Sequence, residues 1–337
     1  MILFAVPRHI RDRKGAGNWK DVEATQILLD RLGRAYERVD FDPEAPGDLL
    51  RGRDGVRDLL VHYSWWPDAL GQARRNMPGL RIHVRAHNAE ALQHLHRSSF
   101  RPLPSAAQLR TAYGAGRLLL RDLRCRRLAD TILGISAWDN AHYWRRLPGR
   151  AAVRHLPYFS PWPLLLPETR PRPWPERDAA VLCMPGARDA ISTSMIDAFG
   201  RLAALGLTPW RFLLTRGILS NGDAAPLPPK VEMTASDDEP WPALCRVRAV
   251  AVLTPLGFGT KTTIVDALAA GCHVLVHPAL HGRLSAAERE ACTPLDPDRP
   301  PSREHLGRLL EEPPRAAWRN ETLADEARAV LTASLSG

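Results

Sequence analysis

Short apolar runs alternate with segments of helical periodicity along the 337 residues, a pattern typical of α/β proteins with mostly parallel strands. In the first half the apolar runs predict strands at Ile2–Val6, Leu59–Tyr63, Arg81–Arg85 and Thr131–Ile135. The amphipathic segments predict helices at Trp19–Leu32, Pro67–Arg75, Gly116–Ala129 and Ala137–Arg145.

A proline-rich segment interrupts this alternation, with seven prolines in the nineteen residues of Pro157–Pro175. Because proline disrupts both helices and central strands, we interpret the segment as an interdomain linker. The predicted organisation is a first domain at 1–160, a linker at 161–177 and a second domain at 178–315. A terminal helix at 316–337 would be placed to cross back to the first domain.

The alternation resumes after the linker and predicts a second α/β domain. Its predicted strands are Ala180–Met184, Trp210–Leu214, Val231–Thr234, Ala249–Leu253 and Val274–Val276. Its predicted helices are Ser192–Leu205, Lys261–Ala270, Arg303–Glu312 and Ala316–Leu335.

The composition narrows the class of protein. The most apolar window, Thr262–Leu280, contains Asp266, His273 and His277, so no segment is predicted to span a membrane. The apolar start before Pro7 is too short for a signal peptide. The five cysteines are scattered and form no CxxC pair, which favours a reducing, cytoplasmic setting over a disulfide framework or zinc site.

Positive charge is concentrated in the first half of the chain. Residues 1–156 carry 27 basic and 16 acidic side chains, whereas the remainder carries 19 basic and 21 acidic ones. A positive field favours an anionic partner there, such as a membrane surface, a phosphorylated lipid or nucleic acid. Nucleic acid is not expected, because the basic residues are interspersed with acidic ones and no known nucleic-acid module is present.

One basic segment, GRLLLRDLRCRR, places Arg117, Arg121 and Arg124 at helical spacing with leucines between them. This helix would either lie against anionic lipid or pack on the core with a charged outer face, and we favour the second interpretation slightly. The Trp65–Trp66 pair after a predicted strand would either stack on a sugar or lipid or pack internally.

The segment with the clearest chemistry is TPLGFGTKTTIVDALAAGCHVLVHP, residues 254–278. It predicts a strand, a glycine-containing turn and a helix that begins near Lys261, whose unpaired backbone amides would bind phosphate oxygens. Gly257 and Gly259 would allow close approach to the ligand. Because Thr260 separates Gly259 from Lys261, the segment is not a Walker P-loop.

This segment resembles the donor-site motif of retaining, family-4-type glycosyltransferases, one form of which reads G-x-G-x-K-x-x-x-x-E-A-x-A-x-G-x-P-V. The residues in register are Gly257, Gly259, Lys261, Asp266, Ala267, Ala269, Gly271 and Val274. Three further segments resemble the same family in the same order: RAHNAE, ADTILGISAWDNAHY and RHLPYFSP. The chain departs from the motif where Phe258 and Asp266 replace two glutamates and His273 replaces proline.

The resemblance implies the GT-B fold, with two Rossmann-like domains that face each other across a deep cleft. It implies that the second domain binds a nucleotide-diphosphate sugar, with Asp266 on the ribose. The residues it assigns to the diphosphate are Arg188, Gly257, Gly259, Thr260, Lys261 and Thr262. It gives His87, Lys261 and Arg188 catalytic roles, with His87 nearest the transferred sugar, and it places Gly15, Gly17, Asn18 and Asn88 in the acceptor-facing loops.

The resulting hypothesis is sugar transfer with retention, without a metal or other cofactor. The acidic run at 237–239 is interpreted as a solvated turn. The expected acceptor is a phosphorylated lipid-linked saccharide or a surface polysaccharide, with peripheral contact to an anionic membrane. The alternatives are a GT-B sugar-nucleotide epimerase or phosphorylase and, from another class, a basic nucleic-acid-binding protein.

Overall fold

The computed structural model describes residues 1–11, 16–42, 49–53, 55–98, 106–185, 190–215, 227–234, 240–255, 258–314 and 318–336. These residues form two six-stranded sheets in which every recorded strand pair is parallel. Helices connect the strands, as parallel pairing requires. The α/β class predicted from the sequence is confirmed.

The first sheet has the strand order β2-β1-β3-β4-β5-β6. Its strands are β1 (Ile2–Pro7), β2 (Tyr36–Phe41), β3 (Asp58–His62), β4 (Arg81–Ala86), β5 (Thr131–Gly134) and β6 (Ala152–His155). Its helices are α1 (Arg8–Arg11), α2 (Gly17–Leu32), α3 (Pro67–Asn76), α4 (Glu90–Ser98), α5 (Ala106–Leu128) and α6 (Ala137–His142). A 3-10 turn, Trp144–Arg146, follows α6.

The second sheet has the order β12-β11-β10-β7-β8-β9 and follows the linker, which contains α7 (Trp162–Leu165) and a 3-10 turn at Trp174–Glu176. Its strands are β7 (Asp178–Cys183), β8 (Arg211–Leu214), β9 (Val231–Met233), β10 (Val247–Val252), β11 (His273–Val276) and β12 (Cys292–Pro294). Its helices are α8 (Ala190–Ala204), α9 (Pro240–Leu244), α10 (Thr262–Ala269), α11 (Pro278–His281), α12 (Ala286–Ala291) and α13 (Arg303–Glu311).

The central strands are apolar because helices cover both faces of a parallel sheet. For example, β1 (ILFAVP) is buried along its whole length. The apolar pattern does not reveal β2, whose sequence YERVDF alternates charged and apolar residues. It pairs only with β1, at the edge of the sheet, and five of its six residues are partly exposed. Edge strands tolerate this polarity because one side faces solvent.

The terminal helix α14 (Asn320–Ser336) leaves the second domain and packs on the first. Its buried residues Ala327 and Leu331 belong to an apolar cluster that also contains Phe4 and Leu28. The last turn is held by Arg81, whose guanidinium donates to the carbonyl of Leu335 at 2.7 Å. The chain therefore connects the two domains twice, through the linker and through α14.

Two further observations concern the length of the apolar helices and the state of the cysteines. Among the described helices, none has the length and apolar content needed to cross a bilayer. All five cysteine side chains are buried free thiols, in positions that range from the α5 helix to the β12 strand.

We expect Leu331→Ala to lower the free energy of unfolding by about 2–5 kcal/mol, because it opens a cavity in a fully buried contact between α14 and the first domain. Chemical denaturation followed by circular dichroism measures this change. Thr332→Ala, at an exposed position one residue further along, serves as the control. Equal stability of the two variants would contradict the docking of α14.

Candidate functional site

The carboxyl ends of β3 and β4 bring a buried polar cluster together at one edge of the first sheet, because adjacent parallel strands end side by side. His62 ends β3, and His87 directly follows β4. Their Nε2 atoms lie 2.8 Å apart. Asp21 from α2 completes the cluster, with its Oδ2 atom 3.1 Å from Nε2 of His87.

Arg85 fixes the ionisation and orientation of this cluster. Its guanidinium donates to both carboxylate oxygens of Asp21, at 2.8 and 2.5 Å, and both side chains are nearly inaccessible to solvent. Burial raises the pKa of Asp21, but Arg85 and His87 outweigh it and hold that pKa well below its usual range. Burial and the neighbouring His87 lower the pKa of His62, which is therefore neutral.

The ring of His87 is held from the other side by Tyr63. The two rings stack at 4.1 Å with an interplanar angle of 12°. Tyr63 has φ of 78°, an unfavourable backbone conformation for a bulky side chain, and such strain is concentrated at functional sites. The position of His87 is thus determined by a stacked ring and a carboxylate.

Asp21, His62 and His87 also have the spacing of a metal site, since one donor atom from each lies within 4.8 Å of the others. The chemistry of the donor set argues against a cation, because Arg85 already places a positive charge on both oxygens of Asp21. The expectation that no metal is required stays a prediction.

The glycine-containing turn of the second domain lies directly against the first domain. Gly259 has φ of 74°, and a Cβ atom there would lie 2.1 Å from Oδ1 of Asn88 and 2.4 Å from the carbonyl oxygen of His87. Only glycine fits this position. We predicted that a ligand would approach Gly259 closely, but in the structure the loop after β4 of the first domain lies in that place.

Hydrogen bonds hold this turn in place. The amide of Gly259 donates to Oδ2 of Asp139 at 2.8 Å, and the hydroxyl of Thr260 donates to the carbonyl of Ile135 at 3.0 Å. Phe258 is buried in the apolar cluster of the first domain. The described part of the turn thus contacts the first domain instead of an open cleft, so anion binding there requires the domains to separate.

The amino terminus of α10 is covered in the same way. Lys261 is the residue that precedes the helix, and Thr262 is its first residue. A Cβ atom at Gly17 would lie 3.0 Å from Oγ1 of Thr262, so the start of α2 faces the start of α10. Asn18 lies in the first turn of α2, where its Oδ1 accepts from the amide of Trp19 at 3.0 Å.

Asp266 lies away from solvent, in a buried pair between the domains. Its Oδ2 atom is 2.5 Å from Nζ of Lys20, and its Oδ1 accepts from the hydroxyl of Tyr158 at 2.8 Å. Both oxygens have partners, and the side chain is fully buried. The ribose role implied for Asp266 stays a prediction, and it requires these two contacts to break.

Several predicted residues have no described position: Arg188, Gly257, Gly15 and the acidic run 237–239 lie outside the described residues. The structure brings together His87, Asn88, Gly259, Thr260 and Lys261 at the domain interface. Four further residues lie there that were not predicted from the sequence: Lys20, Asp21, Asp139 and Arg283. A signal for Lys20 was present, because it is one of only four lysines in the chain.

Arg283 closes this interface from the second domain. Its guanidinium lies over Phe258 at 4.4 Å and over Trp138 of the first domain at 5.3 Å. Cation–π contacts of this kind contribute most where water is excluded. A cavity of about 260 Å³, lined by Gly259, Thr260 and Arg283 among others, remains between the domains.

Comparison with solved structures finds likenesses over almost the whole chain. Sucrose-phosphate synthase from Thermosynechococcus elongatus has a TM-score of 0.59 at 12% identity, covering 100% of this chain and 97% of that one. An alpha-glucosyltransferase in complex with UDP-glucose and DNA containing an abasic site has a TM-score of 0.56 at 12% identity, covering 99% and 94%. Anabaena HepE in complex with UDP-glucose has a TM-score of 0.52 at 12% identity, covering 99% and 95%.

These structural neighbours are GT-B glycosyltransferases. At this identity they establish the fold alone, so the predicted GT-B arrangement of two Rossmann-like domains is confirmed. No family model matches the sequence, and no curated protein matches it.

We expect Lys20→Met to lower the free energy of unfolding by about 3–5 kcal/mol, because it leaves the Asp266 carboxylate buried without its cation. The double variant Lys20→Met/Asp266→Leu should recover much of this loss, since it removes both charges. Urea denaturation measures both. Arg328→Ala, from the exposed Arg328–Asp325 pair, is the control and should have little effect.

If the double variant were as unstable as the single variant, the ion pair would not be the source of the effect.

We expect Asp139 to make stability depend on pH. Burial raises the pKa of Asp139 to about 6, against the lowering effect of the amides of Gly259 and Ala89. A carboxyl whose pKa is higher in the folded protein contributes stability that is present below about pH 4 and is lost as the pH rises through about 6. Relative to Asp139→Asn, the wild type should therefore lose about 3 kcal/mol across this interval.

Urea denaturation between these pH values, repeated with the exposed Asp298→Asn as control, measures the difference. A constant difference between wild type and Asp139→Asn would contradict the raised pKa.

Proposed function

We propose that the protein is a glycosyltransferase that moves a sugar from a nucleotide-diphosphate sugar to an acceptor. The observation that carries this proposal is the contact between the turn before α10 and the loop after β4. It brings Gly259 of the motif segment, two residues before Lys261, next to His87 and Asn88. This contact between two nucleotide-type domains supports a site in which the turn would bind the diphosphate and His87 would face the sugar.

The second domain would bind the donor diphosphate through the amides that begin α10, through Lys261 and through Arg188. As the glycosidic bond breaks, negative charge builds on the leaving phosphate, so its stabilisation is the main electrostatic task. Lys261 suits this role because it precedes the helix, where its charge adds to the partial positive charge of the helix amino terminus.

His87 would hydrogen-bond to the transferred sugar and hold it in position for cleavage of the glycosidic bond. Asp21 and Tyr63 hold the ring, so that little reorganisation is needed in the transition state. Asp21 is a poor nucleophile because Arg85 occupies both of its oxygens. The family resemblance implies a retaining course in which the leaving phosphate accepts the acceptor proton, and such a course would not need Asp21 as a nucleophile.

Donor binding requires the domains to open. The cavity of about 260 Å³ beside Gly259 and Thr260 is below the range of about 300–1,000 Å³ that holds most ligands. Opening would free the Gly259 amide from Asp139 and the Thr260 hydroxyl from the carbonyl of Ile135. The diphosphate would then take the place of Asp139 as the anion at this turn.

The acceptor belongs to the first domain, which carries the excess of positive charge. A phosphorylated lipid-linked saccharide or a surface polysaccharide suits that charge, with peripheral contact to an anionic membrane at its inner face. Two neighbours, the alpha-glucosyltransferase and HepE, were solved with UDP or UDP-glucose, which makes UDP-sugars the first donors to test.

We expect a UDP-, GDP- or dTDP-sugar to raise the melting temperature of the wild type, because a ligand that binds only the folded state stabilises it. Lys261→Ala should lose this shift, since it removes the cation at the diphosphate. Thermal-shift measurements test both, with the exposed Lys230→Ala as the matched control. The absence of a shift with every nucleotide sugar, or an unchanged shift in Lys261→Ala, would overturn the assignment of donor and site.

A further inference from the structure

The outer face of α5 carries an exposed stripe of apolar and basic residues. Leu109, Tyr113, Arg117, Leu120 and Arg124 recur at intervals of three or four residues, so they share one face of the helix. The three apolar members are 77%, 71% and 63% exposed. The expectation of a plain charged outer face is therefore not met.

This exposure is concentrated in one place. Of the nine large hydrophobic side chains that are exposed among the described residues, five lie on α4 and α5. Monomeric proteins seldom leave clustered apolar side chains in water without a binding role. Clustered exposure of this kind is typical of a binding face.

The charge of the same helix indicates the kind of partner. The α5 helix contains six arginines and a single acidic residue, Asp122. Asp122 is buried on the opposite face, where it accepts hydrogen bonds from Ser64 at 3.0 Å and Tyr143 at 2.7 Å. It does not face the stripe, whose field is strongly positive and favours an anion.

A pocket of about 610 Å³ opens beside the stripe, and its wall combines basic and apolar side chains with one acidic residue, Asp68, which accepts a hydrogen bond from Arg124 at 2.5 Å. Arg117, Arg121 and Arg124 line it together with Trp65 and Leu118. The Nε atom of Arg121 is buried and has no hydrogen-bond partner in the described structure. Guanidinium groups donate to phosphate oxygens in pairs, so this pocket suits a phosphate-bearing group with an apolar chain beside it.

The pocket is connected to the candidate active site through a series of aromatic contacts. The guanidinium of Arg121 lies 5.7 Å from the centroid of the Trp65 ring, the tilted rings of Trp65 and Tyr63 lie 4.4 Å apart, and Tyr63 stacks on His87. An acceptor phosphate held by Arg121 would therefore be separated from His87 by two aromatic side chains.

We propose that α5 binds a phosphorylated lipid at a membrane surface. The phosphate occupies the pocket of Arg117, Arg121 and Arg124, and Leu109, Tyr113 and Leu120 enter the lipid interface. Amphipathic helices that lie in this interface combine the same elements, an apolar stripe and arginines. The use of this pocket as the acceptor subsite rests on the proposed function, whereas lipid binding itself does not.

The test is co-sedimentation with vesicles of phosphatidylcholine that either contain or lack phosphatidylglycerol. The wild type should bind the anionic vesicles. Arg117→Gln/Arg121→Gln/Arg124→Gln should weaken binding by about fivefold for each arginine, about 100-fold in all. Leu109→Ser/Tyr113→Ser/Leu120→Ser should abolish the binding that persists at high salt, where screening leaves the apolar contribution.

The matched control is Arg289→Gln/Arg299→Gln/Arg308→Gln, which removes the same charge from exposed positions of the second domain and should bind like the wild type. Equal loss in this control, or no binding of the wild type to anionic vesicles, would overturn the proposal. So would stabilisation by soluble glycerol phosphate without vesicle binding, or a duplex DNA that binds through the arginines and does not need Leu109, Tyr113 and Leu120.

Circular dichroism melting of each variant verifies folding, since all substituted α5 residues are at least partly exposed. Nucleotide-sugar thermal shifts separate the two proposals. Loss of vesicle binding in the arginine variant with an unchanged donor shift supports the lipid site. Vesicle binding without any donor shift in the wild type would overturn the proposed function and leave the lipid site standing.

Discussion

The buried contact between Lys20 and Asp266 is the constraint on which the arrangement of the two domains depends. Two opposite charges from different domains are removed from water 2.5 Å apart, with Tyr158 as the third partner. A buried carboxylate that loses its cation is costly, so separation of the domains must either rehydrate both charges or supply new partners. A bound anionic ligand near α10 offers such a partner to Lys20.

The same closed arrangement of the domains explains the contact between Asp139 and Gly259. In the closed arrangement a carboxylate of the first domain accepts the hydrogen bond of the Gly259 amide, which the proposed donor diphosphate would accept in the open one. The substitution is chemically close, because an aspartate oxygen and a phosphate oxygen accept the same hydrogen bond. It is also weak enough to exchange, since burial makes the ionised form of Asp139 unfavourable and raises its pKa to about 6. The first domain thus holds the motif in a ligand-like contact.

Much of the fold followed from the sequence, because the buried strands are continuous apolar runs and the turn before α10 has a recognisable pattern. The edge strand β2 did not, since its exposed positions are charged. The contacts across the domain interface could not be predicted from the sequence, for a different reason. The resemblance assigned Asp266 to a donor ribose, and no residue pattern shows that Lys20, 246 positions away, supplies its cation. Pairings of this kind depend on how two domains meet, which no local periodicity contains.

The strained backbone of Tyr63 links the two halves of the proposed chemistry. Its positive φ turns the chain at the end of β3 so that His62 stays in the buried cluster while Trp65 reaches the basic pocket. Its own ring then stacks on His87 and makes a tilted contact with Trp65. A conformation that costs about 1–3 kcal/mol persists only where the surroundings compensate, and these two ring contacts contribute to that compensation. One residue therefore contacts both the histidine and an aromatic side chain of the arginine pocket.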